Sequence, residues 1–446
     1  MKNIIILNAT IALCATCLIA CSNDDSEYEK IEENGQFNNE EANIMRNGYG
    51  LSVIENDTAF FSPDDYRHGV TNLSERLADS VNSFSIDIFK DMSDGEGNTF
   101  ISPYSIEQVL AVAANGTSGQ ANDEILQTFG FKGKLGDFND ANKVLANYVQ
   151  RDDTLALLEV ANSFWMENQM PVYRSFLSCA HNFYESNIYG IDFSAPDAGG
   201  YINNWVEAKT HGMIRDLIPN GPMNPGFNIV NAVYFQASWS MPFDEQMTDK
   251  QLFHCLDGND AEVDMMQWKY IFNPVYFMET DKTDVISLPY HGNYRMLVCL
   301  PQEDVGLEEF IASLDEAKWK EMVDGLRAEY VDVYMPKVKV DLKVSPTAPL
   351  KRMGITTLFS SNADFTPMTT VKLGVSDILH NATLDLNEKG TVAAAATILN
   401  TTAPGDEPID YKSLNIRQFC VNRPFFFSIY DTETNIILFI GCVKQP

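Results

Sequence analysis

The chain has 446 residues, of which 45% are hydrophobic and 11% aromatic, and its formal net charge is −31 at pH 7. A chain of this length and apolar content can bury a sizeable core, which excludes wholesale disorder. The strongly acidic charge argues against nucleic-acid binding, because phosphate contacts need clustered Lys and Arg.

The first twenty residues have the composition of a targeting segment. Lys2 supplies a positive start, and the apolar run from 4 to 20 is too short and poorly flanked for a membrane-spanning helix. The run ends in Leu18-Ile-Ala-Cys21, which resembles the lipobox of bacterial lipoproteins. By that resemblance, residues 1–20 are a signal peptide and Cys21 carries lipid. An ordinary secretory signal with an incidental cysteine is the alternative.

Residues 21–73 are expected to form an acidic, flexible tether. Acidic residues crowd the stretch up to Glu41, and little apolar surface is available before Ile44, so the segment cannot bury enough to order itself. The acids directly after Cys21 also resemble surface-export signals of some Gram-negative lipoproteins, although a plain solvated spacer explains them equally well. We expect a cell-envelope lipoprotein of the outer membrane, facing either the periplasm or the outside.

Helices predominate in the first half of the remaining chain, and strands in the second. Apolar residues from Leu73 to Phe89 recur at three- and four-residue steps, which predicts an amphipathic helix. The stretch 228–239 is almost wholly apolar and predicts a strand buried on both faces. Further helices are predicted at 106–114, 125–129 and 201–217, and further strands at 160–166, 285–288, 296–300, 330–340, 425–430 and 436–443. This order indicates an α+β fold, and no linker divides residues 74–446, so a single domain is expected.

A stretch of small residues occupies 388–404 and has the sequence E-K-G-T-V-A-A-A-A-T-I-L-N-T-T-A-P. Alanine is the best helix former, so a short packed helix is one interpretation. The other is a segment of almost no bulk that enters a crowded place as a strand. The composition of the stretch leaves both open.

Several motifs, taken in order, resemble those of the serpin family of protease inhibitors. The stretch 98–105 is similar to the family's N-x-F-x-S-P-x-S, 205–214 to W-V-x-x-x-T-x-G-K-I, and 231–243 to N-A-x-Y-F-x-x-x-W-x-x-P-F. Four shorter motifs follow in the family's order: Val263-Asp-Met-Met266, Leu288-Pro-Tyr290, Met335-Pro-Lys337 and Arg423-Pro-Phe-Phe426. The chain from 74 to 446 is thereby identified as a member of this family.

The resemblance implies a serpin-like single domain with three β-sheets, about eight or nine helices and an exposed reactive-centre loop at about 388–415. It also implies a suicide inhibitor of serine endopeptidases, extended to papain-like cysteine proteases. A protease that cleaves the loop forms an acyl-enzyme, and the cleaved loop then inserts into the main sheet and traps the enzyme. Serpin loop insertion is itself a known example of strand addition.

The start of the small-residue stretch resembles the hinge of inhibitory serpins. On insertion, alternate side chains face the sheet interior, and those at 391, 393, 395 and 397 are all small, which avoids the cost of overpacking. Non-inhibitory relatives usually carry bulky or charged residues here, so the strand interpretation is favoured. The hinge residues implied are Glu388, Gly390, Thr391, Ala393, Ala394, Ala395, Ala396 and Thr397.

The cleavage position is less regular than the hinge. The family's usual spacing from Glu388 ends at Pro404, which suits neither side of a cut because of its fixed φ and missing N–H. Counting back from the following strand ends near Lys412-Ser413, so residues 405–412 are expected to be an insertion. We therefore expect cleavage near Thr402-Ala403, by an elastase-like protease that accepts small side chains. Cleavage at Lys412-Ser413 by a trypsin-like enzyme is the second choice.

The same resemblance predicts a group of polar residues beneath the point where the main sheet opens, and a tryptophan where insertion begins. Buried polar groups there must hydrogen-bond one another, since an unpaired one costs about 1–3 kcal/mol. The expected residues of this sheet-opening region are Ser102, Ser105, Asn231, His380 and Trp239.

Motifs of other functions are absent from the sequence. Gly116-Thr-Ser-Gly119 is not a nucleophile elbow, and the six histidines show no H-E-x-x-H spacing. We expect no enzymatic activity, no cofactor, no metal and a monomer, whose partners are a target endopeptidase and, through Cys21, a membrane. A non-inhibitory serpin acting as a surface-binding or structural lipoprotein is the alternative. Neither a disulfide framework nor a zinc site is indicated by the five scattered cysteines Cys179, Cys255, Cys299, Cys420 and Cys442.

Overall fold

The fold is given by a computed structural model that describes residues 50–54, 72–150, 155–223, 226–269, 274–391 and 416–446. The predicted signal peptide and most of the predicted tether lie outside these ranges. So do the following predicted site residues: Cys21, Ala393, Ala394, Ala395, Ala396, Thr397, Thr402, Ala403, Pro404, Lys412 and Ser413.

Nine α-helices occur among the described residues. In the first of them Leu77, Val81, Phe84 and Ile88 are all buried along one face, which confirms the amphipathic helix predicted near its position. The helices are α1 (Asn72–Met92), α2 (Pro103–Gly116), α3 (Gln120–Thr128), α4 (Leu135–Val149), α5 (Arg174–Tyr184), α6 (Ala198–Lys209), α7 (Gly306–Ser313), α8 (Glu316–Gly325) and α9 (Thr347–Arg352).

Strands make up most of the rest of the domain. In chain order they are β1 (Ser52–Ile54), β2 (Thr99–Ile101), β3 (Ala156–Glu167), β4 (Pro171–Tyr173), β5 (Asn187–Ile191), β6 (Phe227–Ser238), β7 (Asp249–His254), β8 (Asp260–Trp268), β9 (Val275–Glu279), β10 (Thr283–Pro289), β11 (Tyr294–Pro301), β12 (Arg327–Glu329), β13 (Val331–Pro336), β14 (Val338–Val344), β15 (Val375–Asn387), β16 (Gly390–Thr391), β17 (Arg417–Cys420), β18 (Phe425–Asp431) and β19 (Ile437–Val443).

These strands form three large sheets and one small one. The main sheet has six strands in the order β14-β15-β16-β6-β3-β5. A seven-stranded sheet has the order β12-β9-β10-β11-β18-β19-β2, and a four-stranded sheet the order β17-β13-β8-β7. The predicted α+β architecture with three main sheets and about eight or nine helices is therefore confirmed for the described part of the chain.

Two clusters of buried side chains cover the two faces of the main sheet. The larger lies on the back face, where α2 packs against β6 and β3. The smaller cluster lies on the front face, beneath α6, and includes Trp165, Trp205, Ile214 and Val230. Because the central strand β6 contributes to both clusters, it is apolar almost throughout, as its sequence predicted.

Two predicted elements differ in extent from those observed. The strand predicted at 330–340 is two strands in different sheets, since the chain leaves the four-stranded sheet after Pro336 and enters the main sheet at Val338. The helix predicted at 201–217 ends at Lys209. There the Thr210 hydroxyl accepts the N–H of Ile214, which replaces a helical backbone acceptor.

A further difference lies inside the predicted tether. Residues 52–54 form β1, which pairs in parallel with β4, so the prediction of an unordered segment is wrong there. The chain just before β1 passes close to β5 at two glycines, Gly50 and Gly190. A Cβ at Gly190 would lie 2.5 Å from the carbonyl oxygen of Gly50, so a larger residue there would push this segment away. Backbone pairing at a free strand edge orders this short segment without a large apolar surface.

Within the ranges that the structure describes, no helix is both long enough and apolar enough to span a membrane.

An unexpected acid lies in the core on α2. Glu107 is fully buried, and its Oε2 accepts a 2.7 Å hydrogen bond from the side chain of Gln108. Its Oε1 finds no donor among the described residues. Burial raises the pKa of Glu107 from 4.5 to about 8, so the folded chain holds this acid neutral at pH 7.

This acid should make the folded state less stable as pH rises from 4.5 towards 8. Its folded pKa exceeds its unfolded pKa, so the stabilisation is complete below pH 4.5 and is lost as pH rises towards 8. Glu107→Gln removes this titration. We expect the unfolding free energy of the variant minus that of the wild type to be about 2–4 kcal/mol larger at pH 8 than at pH 5. Urea unfolding at both pH values measures this, with Glu303→Gln at an exposed position as the charge control. A gain that does not depend on pH would contradict the assignment.

Candidate functional site

The main sheet contains an incompletely paired seam between β15 and β6. The two strands pair in parallel from Val375 and Phe227 up to Asn381 and Ala232. Beyond that point they separate, and residues 382–385 and 233–236 have no partner across the seam among the described residues. We call the paired part the closed seam and the separated part the open seam.

The top of the open seam is filled by the first residues of the predicted hinge. Gly390 and Thr391 form β16, which is antiparallel to both neighbours. Thr391 lies opposite Ala237 on one side and Leu386 on the other. These two hinge residues therefore lie in the sheet as a strand, in agreement with the second of the two interpretations of the stretch.

Gly390 occupies a position that requires glycine. Its φ is +145°, and a Cβ built on it would lie 2.0 Å from the carbonyl oxygen of Ala237. Any side chain would therefore separate β16 from β6, since this contact is with backbone.

Thr391 faces the interior of the domain. It is 1% exposed, and its Oγ1 lies 2.6 Å from the hydroxyl oxygen of Tyr290. The Tyr290 ring stacks on Trp239 with the ring centroids 4.1 Å apart. These two aromatic rings form the floor of the seam beneath the hinge, and burial raises the pKa of Tyr290 well above its ordinary value.

Trp239 also holds the turn that joins β15 to β16. Its indole Nε1 donates a 3.0 Å hydrogen bond to the carbonyl of Asn387, and its backbone N–H donates a 2.9 Å hydrogen bond to the carbonyl of Lys389. The residue predicted at the point of insertion thus contacts the hinge directly.

Glu388 is fixed by charge as well as by backbone contacts. Its side chain is 7% exposed and accepts 2.8 Å and 2.7 Å contacts from Lys337 Nζ and Thr248 Oγ1. Burial alone would raise the pKa of Glu388, but these hydrogen bonds outweigh it and hold the pKa below its ordinary value. The carboxylate is therefore charged at neutral pH and anchors the base of the hinge.

The four polar residues predicted beneath the opening point lie together at the upper end of the closed seam. The side chain of Asn231 on β6 donates to Ser105 on α2, and its Oδ1 lies 2.5 Å from His380 Nδ1 on β15. The backbone N–H of Ser102 donates to His380 Nε2 over 3.1 Å. All four residues are buried, and each hydrogen-bonds another member of the group, as buried polar groups must.

The contacts of His380 identify its tautomer. Since Nε2 accepts the N–H of Ser102, Nδ1 carries the proton and donates it to Asn231 Oδ1. Burial lowers the pKa of His380 to about 3, so the ring is neutral at physiological pH. His380 and Asn231 are register partners across the seam, and their hydrogen bond ties the two strands together.

Several residues of the site were not predicted from the sequence. Asn162 on β3 accepts a 2.5 Å hydrogen bond from Asn231, and Tyr290, Lys337 and Thr248 contact the hinge as described above. Tyr290 and Lys337 lie within motifs that carry the family resemblance. Nothing in the local sequence of Asn162 or Thr248 indicates these contacts, which join distant parts of the chain.

Comparisons with known proteins agree with this arrangement. Residues 79–446 match the family model described as "Serpin (serine protease inhibitor)". Iripin-2 of Ixodes ricinus is 32% identical over 384 residues, which cover 83% of this chain and 94% of the relative. The structure of tengpin, a thermophilic serpin, in its native state has a TM-score of 0.74 at 25% identity, and the match covers 89% of this chain and 97% of that one. Human thyroxine-binding globulin complexed with its hormone has the same TM-score and identity over 84% of this chain and 99% of that one.

Removing the amide of Asn231 should weaken the closed seam. Asn231→Ala leaves His380, Ser105 and Asn162 without their shared partner in a buried site, so we expect the unfolding free energy to fall by about 2–4 kcal/mol. Urea unfolding of the intact protein measures this. Asn228→Ala is the matched control, because it lies on the same strand and its Nδ2 has no acceptor among the described residues. Equal losses in the two variants would contradict the role given to the cluster.

Proposed function

This chain belongs to the serpin family, whose members are in general protease inhibitors, and we propose that it traps serine endopeptidases by inserting its cleaved loop into the main sheet. The observation that carries the proposal is the seam, which is open at its upper end and already holds Gly390 and Thr391 in strand register. At Gly390 and Thr391 the seam holds one strand that is paired with both β6 and β15, so the sheet presents a template for the residues that follow the hinge.

The register of β16 determines where each following residue would go. Continued in the same register, residues 393, 395 and 397 come opposite 235, 233 and 231 of β6. On the other side they come opposite 384, 382 and 380 of β15. Their side chains would point to the back face, as Thr391 does, and all are small enough to enter without overpacking.

Thr397 would reach the polar cluster. In this register it lies between Asn231 and His380, so its entry breaks the hydrogen bond that ties the two strands. The Thr397 hydroxyl offers both a donor and an acceptor at that point, and it would leave neither polar side chain unpaired. Insertion as far as Thr397 would therefore break the hydrogen bond between His380 and Asn231 and would form the backbone hydrogen bonds of a new strand in its place.

The length of the seam favours cleavage after Thr402. Counted on in the same register, Thr402 would come level with Gly226, one residue before β6 begins, and with Val375, the first residue of β15. A loop cut at Thr402-Ala403 would thus fill the seam from end to end. A cut at Lys412-Ser413 would leave residues 403–412 outside the sheet, which is about 34 Å of slack between the sheet and a bound protease.

Trapping then follows from a contest of rates. The protease attacks the scissile carbonyl, releases the amine of the next residue and remains joined to the loop as an acyl-enzyme. Insertion carries the enzyme along the sheet by about 3.3 Å per inserted residue, and it must finish before water hydrolyses the acyl bond. Because the first hinge residues are already in register, insertion starts without a search for the sheet.

The target and the location are further parts of this proposal. Small side chains at Thr402 and Ala403 suit an elastase-like pocket, and papain-like cysteine proteases form a comparable acyl-enzyme. We propose that Cys21 carries lipid and holds the inhibitor in the cell envelope, at the outer membrane. The role of a non-inhibitory binding lipoprotein remains as the alternative, and the small side chains at 391, 393, 395 and 397 of the hinge disfavour it.

Complex formation tests this proposal. The soluble domain mixed with an elastase-type protease should give a covalent complex that resists SDS, and mass analysis of the released fragment should place the cut at Thr402-Ala403. Thr391→Arg should abolish the complex while the loop is still cleaved, because burying a charged side chain against Tyr290 costs several kcal/mol.

Thr391→Ser is the matched control for that variant. It keeps the hydroxyl that contacts Tyr290, and it should form the complex at the wild-type level. Active enzyme together with cleaved wild-type protein across a panel of serine and cysteine proteases would overturn the inhibitor proposal and favour the binding role.

A further inference from the structure

The interface between α2, α4 and α5 contains a set of buried amides. Asn139 and Asn142 lie on the inner face of α4 and are 5% and 0% exposed. Asn139 exchanges two 2.8 Å hydrogen bonds with the side chain of Asn115 on α2, and its Oδ1 also accepts a 2.6 Å hydrogen bond from the Tyr184 hydroxyl on α5. The middle of α4 is therefore attached to the domain by polar contacts, which stabilise an interface only while their partners stay paired.

Glu107 on α2 is joined to this interface by one amide. The side-chain nitrogen of Gln108 donates to Glu107 Oε2 over 2.7 Å and to Asn142 Oδ1 over 2.6 Å. Both Glu107 and Gln108 are buried, and Glu107 Oε1 has no donor within the described part of the chain. A charged carboxylate in this place would lack the hydrogen bonds that water gives it, so the closed interface favours the neutral acid.

The titratable groups around Glu107 do not favour a charge on it. Two phenols face it, those of Tyr104 on α2 and Tyr184 on α5. Burial raises the pKa of both phenols, and the charge of Glu107 would raise it further. The described residues of α1, α3, β3, β6 and β19 supply no charge to this group. The other titratable side chains that bear on the two phenols become negative when they ionise, and they are Cys179, Asp140, Glu185 and Tyr294.

The one ammonium beside this set is already paired. Lys143 Nζ on α4 lies 3.5 Å from Glu185 Oε1, which follows α5. Among the described residues, no basic side chain forms an ion pair with Glu107 or lowers its pKa. An ionised Glu107 would therefore remain an unpaired charge for as long as α4 covers it.

The sequence of α4 gives the helix little stability of its own. It contains Gly136 and the three asparagines Asn139, Asn142 and Asn147, all of which are poor helix formers. Its N-cap position is Lys134, whose side chain accepts no backbone N–H. A short helix of this composition stays folded because it is packed against the domain. Separation of α4 is therefore a local route by which water can reach Glu107 without unfolding of the whole chain.

We infer that Glu107, Gln108 and Asn142 form a latch that holds α4 on α2 while Glu107 is protonated and releases α4 when Glu107 ionises. In the closed state the neutral acid leaves no charge unpaired. In the open state water solvates the carboxylate, which removes the penalty of ionisation. The latch holds whether or not the chain inhibits proteases, so it goes beyond the proposed function.

The latch opens as pH rises. Burial, offset in part by the hydrogen bonds from Gln108 and Asn142, raises the pKa of Glu107 to about 8 in the closed state, whereas its ordinary value is 4.5. Between these two values the opening of α4 should become about tenfold more favourable for each pH unit. Below pH 4.5 and above pH 8 this group adds no further pH dependence. From pH 5 to pH 8 the open population should rise by about a few hundredfold.

Native-state hydrogen exchange of the intact protein measures the opening directly. The amides at 139–149 are followed at pH 5 and pH 8, and each rate is divided by the rate of the unstructured chain at that pH. In the wild type we expect the protection of these amides to fall by about a few hundredfold across the range. In Glu107→Gln, which cannot ionise, it should change by less than about threefold.

Asp137→Asn is the matched control for the loss of a carboxylate. Asp137 also lies on α4, but its side chain is 40% exposed and pairs with Lys134 over 3.4 Å. Its variant should keep the pH dependence of the wild type, because its charge is solvated in both states. A wild type whose α4 protection falls no more steeply with pH than that of Glu107→Gln would overturn the inference.

A second comparison separates local release from global unfolding. The amides of β18 and β19, in the core of the seven-stranded sheet, report on global unfolding. We expect the α4 amides to be less protected than these at every pH, and to respond less to about 1 M urea, because a local opening exposes less surface. Equal protection and an equal response to urea in the two sets would show that α4 opens only with the whole domain, and would overturn the latch.

Two asparagines of α4 test the amide part of the latch. Asn142→Ala removes the acceptor of Gln108, so we expect protection of α4 to fall by about tenfold or more at pH 5. Asn147 is exposed, and Asn147→Ala should raise protection by up to about threefold through helix propensity alone. A change of the same sign in both variants would contradict the role given to Asn142.

Discussion

The structure depends on one unfinished pairing, between the central strands β6 and β15. A β-strand edge that faces another edge across a one-strand gap has backbone donors and acceptors directed into the gap, and such groups favour the addition of a strand. Here the lower half of the seam is closed and the upper half holds two residues of the hinge. The proposed function follows from this arrangement: the main sheet would accept one more strand, supplied by the residues that come next in the sequence.

Each neighbouring feature acts on that seam. Trp239, Lys337 and Thr248 fix the base of the hinge at the top of the seam. The neutral His380 joins the two strands at the upper end of the closed part through its hydrogen bond to Asn231. Under the proposed function, these contacts hold the sheet in its present arrangement until the loop is cut.

Part of this arrangement could be predicted from the sequence. The apolar periodicity of α1 and the unbroken apolar run of β6 follow from burial alone, and both elements were placed correctly. The ordered motifs of the family identified four buried polar residues of the cluster, which lie close together although they are far apart in sequence. Small side chains at the hinge favoured a strand over a helix. Gly390 and Thr391, which form β16, agree with the strand.

The rest could not be predicted, for physical reasons. β15 alternates polar and apolar residues and carries Asp377, His380 and Asn381, whose partners lie elsewhere in the chain, so its sequence does not resemble a buried central strand. The end of α6 depends on a hydrogen bond that the Thr210 hydroxyl accepts from the N–H of Ile214. The position of β1 depends on a close backbone approach between Gly50 and Gly190. The hydrogen bond from the Lys343 ammonium to the Arg215 carbonyl joins residues 128 positions apart in sequence. Local patterns carry no information about such pairs.

Hydrogen exchange before and after cleavage of the loop tests the central claim most directly, since it reports on the seam itself. The amides of residues 233–236 and 382–385 border the open seam, and those at 227–232 and 375–381 form the closed part. If the cleaved loop inserts, exchange in the first set should slow by several orders of magnitude, and the second set should remain protected with a new strand as its partner. Unchanged exchange at 233–236 and 382–385 after complete cleavage would show that no strand has entered, and it would contradict the account.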